Sequence, residues 1–203
     1  MSLLEQCVAI ACHATTTTPV AEQLAERGAR FHVNWLDPGH RCELYAQRRD
    51  SHDDVWVVDV RQLMGSRVAH ARCAMPPNPS ALAFEWAGSF EPWVLRSLSE
   101  TLERLPWAPM AEYVPLLLAE RLAARMPQAE YDLREFAPNA GFNYTIYAYT
   151  PTQSVGIKLR LLPHNAGVDA RFNHRDTRLA TPRELLDWLC ATLQPYIDAA
   201  EST

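Results

Sequence analysis

Two groupings along the chain carry the nitrogen and sulfur ligands that zinc prefers: His40-Arg41-Cys42 and His70-Ala71-Arg72-Cys73. A tetrahedral site would need these segments to converge, and no C-x-x-C pair supports them. Solvated histidines and buried cysteines are the simpler expectation, and no metal is assigned. His52-Asp53-Asp54 is the densest acid–base cluster. It lies in a charged stretch, and adjacent carboxylates in an extended segment point to opposite sides, so a solvated turn is expected there. The five cysteines, Cys7, Cys12, Cys42, Cys73 and Cys190, are odd in number and scattered, which reads as reduced and mostly buried thiols. There is no G-x-S-x-G elbow. Gly88-Ser89 precedes a helical pattern, so Ser89 reads as its cap. Seven glycines form neither phosphate-binding signature. The catalytic residues are therefore unassigned, and no cofactor is expected.

Two constellations point to binding instead. If the apolar residues of successive C-terminal strands share one face, the other face carries Tyr147, Tyr149, Lys158, Arg160 and Arg171. His174, Arg175 and Arg178 extend the positive charge into a loop before the last helix. Aromatic rings beside phosphate-pairing cations would suit a nucleic acid, and an acidic protein would suit the same face. The plainer expectation is a solvated face with Arg160 paired to Asp169. The second constellation is Trp86, Trp93 and Trp107, three of six tryptophans within 22 residues. Tryptophan is enriched at interface hot spots, and equally at home between packed helices.

The elements that must hold these residues are clearest from Ala129 to Asp198. Phe142–Thr150, Ser154–Leu162 and Val168–Asn173 alternate with period two, and Tyr131–Leu133 makes a weaker first strand, giving four antiparallel strands. Phe142, Tyr144, Ile146 and Ala148 are expected on the covered face. Pairing should place Arg160 opposite Asp169, Lys158 opposite Arg171, Tyr147 beside Lys158 and Thr145 beside Arg160. Lys158 and Arg171 would then repel unless an anion lies between them. A helix follows, opened by the capping box Thr181-Pro182-Arg183-Glu184, with Leu185, Leu189, Leu193 and Ile197 on its buried side. Pro195 is expected to kink or end it near Gln194.

In the N-terminal half, Glu5–Ala14 is a short strand or helix. Thr15–Pro19 is a loop capped by Thr18, leading into a helix that ends at Gly28. Strands follow at Phe31–Trp35, Cys42–Gln47, Val55–Val60, Arg67–Ala74 and Leu82–Trp86. A helix spans Glu91–Leu105, and another runs from Met110 or Pro115 to Met126. Met75–Ser80 is a firm internal break. The class is α+β, with antiparallel or mixed sheets covered by helices and a weak helix–four-strand–helix repeat. The division expected is 1–105 and 106–203, or a single continuous domain.

Composition narrows the function classes. Hydrophobic residues make up 48% and charged residues 21%, as in ordinary globular proteins, and the net charge is -5. That balance does not favour a general nucleic-acid binder. Lys158 is the one lysine among nineteen basic residues, a bias read as that of a GC-rich bacterial genome. The N-terminus lacks a signal-peptide pattern, and no apolar run reaches the ~18 residues needed to span a bilayer. A cytoplasmic location and no membrane association follow as expectations. The expected role is a non-catalytic interaction protein (an adaptor, accessory subunit or inhibitor-type partner) with a protein partner or its own copy. A small-molecule pocket between sheet and helices, or nucleic-acid binding on the basic–aromatic face, are the alternatives.

Overall fold

A computed structural model describes residues 2–17, 19–74 and 79–201. The chain divides into two compact units, Met1–Pro106 and Trp107–Thr203. Each is α+β and holds one five-stranded, wholly antiparallel sheet.

The N-terminal unit begins with α1 (Leu3–Thr17) and α2 (Pro19–Glu26). Glu5–Ala14 is therefore helical, and the loop expected from Thr15 is displaced. Thr15 and Thr16 hydroxyls donate back to carbonyls at Ala11, Cys12 and His13, which lets the helix run through them. The capping role expected of Thr18 lies outside the described residues. Gly28 ends the second helix at φ 62°, and the meander follows as β1 (Ala29–Asp37), β2 (Arg41–Arg48), β3 (Asp54–Gln62), β4 (Ala69–Cys73) and β5 (Ser80–Phe84). The break expected at Met75–Ser80 falls mostly outside the described residues. The strands on either side of it pair directly, with Ala71 opposite Leu82. α3 (Ala87–Leu102) closes the unit. Its first residue lies earlier than expected, so Ser89 sits inside the helix and the N-cap is Trp86, which makes no side-chain cap bond.

Alternation puts Cys42, Leu44 and Ala46, then Trp56, Val58 and Val60, on one face of this sheet, all buried. They pack with Leu4, Cys7, Leu24, Phe90, Val94, Leu98 and Leu102 into one core. Trp56 is the largest of its fully buried side chains, with its indole N–H donating to Ser97 Oγ at 3.0 Å.

The C-terminal unit repeats the order with one opening helix: α4 (Met110–Arg125), β6 (Glu130–Glu135), β7 (Tyr144–Tyr149), β8 (Ser154–Leu161), β9 (Val168–Phe172), β10 (Arg175–Leu179) and α5 (Pro182–Glu201). Ile146, Ile157, Leu159, Val168 and Ala170 are buried, as are Leu185, Leu189, Leu193 and Ile197 of α5. The capping box forms as its residues dictate. The Glu184 amide donates to Thr181 Oγ1 at 3.2 Å, and the Ala180 amide to Glu184 Oε2 at 2.7 Å. Gly167, at φ 111°, immediately precedes β9 where a Cβ would stand 2.2 Å from the Leu179 carbonyl oxygen, so no other residue fits there.

Three expectations are corrected here. Arg175–Leu179 is a fifth strand, not a loop. Asn173 and His174, at φ 48° and 62°, make a tight two-residue turn that the sequence signals only weakly, because neither is glycine. Pro195 does not end α5. The carbonyl it orphans belongs to Ala191, an exposed residue, so the lost bond falls on the solvent side of the helix. The β7–β8 register is two residues from the expected one: Thr145 lies opposite Lys158, and Tyr147 opposite Gly156. The β8–β9 register is as expected, with Lys158 opposite Arg171 and Arg160 opposite Asp169.

Candidate interaction surfaces

The outer face of the C-terminal sheet gathers most of the residues singled out in the sequence. Lys158, Arg160 and Arg171 are exposed on β8 and β9, and Tyr147 and Tyr149 are half-buried on β7. The two arginines are already engaged. Asp169 lies between Arg160 and Arg178 on the two flanking strands and accepts from both, at 2.6 and 3.2 Å. The two guanidiniums, Arg160 first, hold its carboxyl below the usual carboxylate value. Arg171 turns to Asp176 on β10 in a two-point pair at 2.6 and 2.8 Å. The Arg171–Lys158 repulsion is thereby relieved from within the chain, by an aspartate on the strand read as a loop.

Lys158 has no carboxylate partner among the described residues. Its Nζ lies 4.6 Å from the centre of the Phe142 ring. Phe142 therefore stands beside the outer-face lysine and not on the covered face expected of it, because it precedes the first paired residue of β7 and is released from the alternation. The rings are occupied as well. Tyr147 and Tyr149 stack at 6.1 Å, and the Arg134 guanidinium covers Tyr147 at 4.8 Å while bonding Asp132 and Tyr149. A Cβ on Gly156 would come within 3.1 Å of the Tyr147 ring, which lies over that glycine. Thr145, between Arg134 and Lys158 in the register, is buried, and its hydroxyl has no hydrogen-bond partner among the described residues.

Between Phe142, Lys158, Arg160 and Arg171 a cavity of about 30 Å³ remains. That is room for a water molecule or two and not for a base. His174 and Arg175 are exposed at the β9–β10 turn, and Arg178 belongs to the pair described above.

The three tryptophans differ in burial. Trp93 points from α3 into the N-terminal core and packs on Phe90 at 6.0 Å, so it is a core residue. Trp107 is half-buried in the C-terminal unit, with the Arg183 guanidinium 5.6 Å from its ring. Only Trp86 of the three is strongly exposed, at 69%, and it lies across Gly88, where a Cβ would meet its ring at 2.3 Å.

A different surface, not anticipated from the sequence, lies at the strand ends of the N-terminal unit. Leu63 and Met64, in the β3–β4 turn, are 73% and 85% exposed, and Leu36, at the end of β1, is 43% exposed. With His40, Arg41 and Arg61 they line an open groove of about 410 Å³. The backbone beneath is firmly tied. The Gln62 amide donates to the His40 carbonyl at 2.8 Å, and the Gln62 side chain to the Ser66 carbonyl at 2.8 Å. Asp59 accepts from Arg41 at 3.0 Å and from Arg61. Burial pushes the Asp59 carboxyl up, but the two guanidiniums outweigh it and leave it below the usual value. The available signal in the sequence was a consecutive Leu-Met pair inside a glycine turn, where polar residues are the norm.

The chemistry-bearing residues are dispersed. Cys42 and Cys73 face the core, while His70 is exposed and His40 lies in the β1–β2 turn, so the two histidine–cysteine groupings do not converge. Burial pushes the Cys7 and Cys42 thiols up to about 12, which keeps them protonated and unreactive. His52 sits in an exposed turn at φ 59°, with Asp53 and Asp54 exposed beside it. Among the described residues no three potential ligands cluster around a common point, and no helix is long and apolar enough to cross a membrane. Comparison with protein-family models, with curated proteins and with solved structures found no match.

Proposed function

We propose that the chain is a non-catalytic interaction protein, of the adaptor or accessory-subunit kind, and that a protein partner seats on the Leu36–Leu63–Met64 groove. The observation that carries this reading is the exposure of Leu63 and Met64 on a turn whose backbone is hydrogen-bonded in place. Two large apolar side chains kept in water on a rigid support cost solubility and give the fold nothing. Such patches rimmed by polar groups are the usual mark of a contact surface. Methionine adapts to an incoming surface, and the Arg41–Asp59–Arg61 cluster supplies a polar rim. The self-paired outer face of the C-terminal sheet supports the solvated reading over nucleic-acid binding, since its arginines and rings are already committed within the chain.

The test is recovery of a defined partner from the source cell by the immobilised chain, beside a Leu63→Ser/Met64→Ser variant. The partner should be lost from the variant while its circular dichroism is unchanged. Equal recovery by both proteins, or no partner for either, overturns the reading.

A further inference from the structure

The geometry points to a second site of association: the free edge of β1, paired antiparallel with β1 of a second copy of this chain, centred on Val33. The four edge strands of the two sheets differ in how they guard themselves. β6 carries Glu130, Asp132, Arg134 and Glu135 along six residues, and β10 carries Arg175, Asp176 and Arg178 along five. Charges spaced that closely discourage another strand from adding on. β5 is short and small, with Ala81 and Ala83 exposed.

β1 has neither defence. It is nine residues long and paired on one side only. Its core-side row, Phe31, Val33 and Trp35, is covered from the β2 side but left half-open at the edge. Phe31 reaches Trp56 at 6.4 Å, while Trp35 remains 38% exposed. An exposed row of that kind is what an added strand would cover.

The strand is also complementary to itself. In an antiparallel pair, directly opposed residues share a face. With Val33 opposite its own copy, Phe31 falls opposite Trp35 on the core side and His32 opposite Asn34 on the outer side. Aromatic cross-strand pairs of that kind stabilise sheets. Arg30 near one end of each strand comes beside the Asp37 end of the other. Neither side chain has an ion-pair partner among the described residues, and both are exposed, so each strand offers the opposite charge its copy lacks. The irregularity at Leu36, between the Trp35 and Asp37 pairings with β2, limits the added ladder to the stretch before it. The groove shares Leu36 and Asp37 with the end of β1, but the pairing is centred on Val33 and uses neither Leu63 nor Met64, so the inference holds whether or not that groove engages a partner.

Sedimentation analysis of the intact chain, with three charge variants, is the test. The wild type should sediment as a dimer at micromolar concentration. Arg30→Asp and Asp37→Arg each place like charges at both symmetric ends and should weaken association about tenfold. The double variant Arg30→Asp/Asp37→Arg restores opposite charges and should recover the wild-type mass profile. Both positions are exposed, so all three variants should keep the wild-type circular dichroism. A wild-type monomer at 100 micromolar overturns the inference. So does a dimer that neither single variant weakens, or single-variant losses that the double variant does not repair.

Discussion

The two units share an order of elements and differ in what they do with their surfaces. Each runs from helix through a five-strand meander to a closing helix, and each sheet buries one face beneath its helices. On each outer face one aspartate holds two arginines: Asp59 with Arg41 and Arg61, and Asp169 with Arg160 and Arg178. Beyond that the surfaces part. The C-terminal sheet pairs Arg134, Arg160, Arg171 and Arg178 with its own aspartates and charges both edge strands. The N-terminal sheet exposes Leu63 and Met64 at a turn and leaves the apolar row of β1 open at an edge. One topology thus supports a self-contained surface in one unit and an unsatisfied one in the other. Strand period and turn chemistry set the topology, while outward side chains are free to vary.

The comparison can be pressed hardest in the two cores. Trp56→Ala removes a fully buried ring and its bond to Ser97, and should cost the N-terminal unit about 3–5 kcal/mol. Ile157→Ala, also fully buried, should cost the C-terminal unit about 2–5 kcal/mol. Urea unfolding, with hydrogen exchange read strand by strand, measures both. A loss under 1 kcal/mol at either site would show that the core is not where that unit's stability lies.

The closing helices make a finer contrast. α5 is capped by Thr181, and Thr181→Ala should cost about 1 kcal/mol. α3 has no side-chain cap, and Ser89 lies exposed inside it, so Ser89→Ala should stay within about 0.5 kcal/mol. Equal losses in the two variants would mean that Ser89 caps after all.

Acid sensitivity is the smallest effect. Asp59 and Asp169 both sit below the usual carboxylate value of 3.8, which means each binds its proton less readily folded than unfolded. Their stabilisation is present above that value and is lost as pH falls through their lower folded values. Because these pairs face solvent, each should contribute at most about 1 kcal/mol. The urea midpoint of the wild type should therefore fall between pH 5 and pH 2, and Asp169→Asn should flatten its part of that slope. A slope unchanged by this substitution would mean that the Asp169 cluster adds nothing to the C-terminal sheet.

Legibility followed periodicity. Ser154–Leu161 and Val168–Phe172 alternate without interruption, so their faces and the Arg160–Asp169 pairing could be derived from residue types. The box at Thr181–Glu184 was readable because each of its bonds spans only three or four residues. Arg175–Leu179 was missed because three charges in five residues mask a strand that buries only Leu179 well. That miss hid Asp176, and with it the way Arg171 is neutralised. The β7–β8 register slipped by two because alternation specifies a face and not which of several same-face residues lies opposite. The strand-end groove went unseen because Leu36 is separated from Leu63 and Met64 by two turns and two strands.

Residue order alone determined the class of fold, the buried side of most strands and helices, and the helix start at Thr181, since these depend on neighbours two to four positions away. The tertiary structure decided which charges meet, which tryptophan enters the core and which apolar side chains stay in water. Those outcomes depend on strand offset and on what covers each face, and both are settled by packing between segments far apart in the chain.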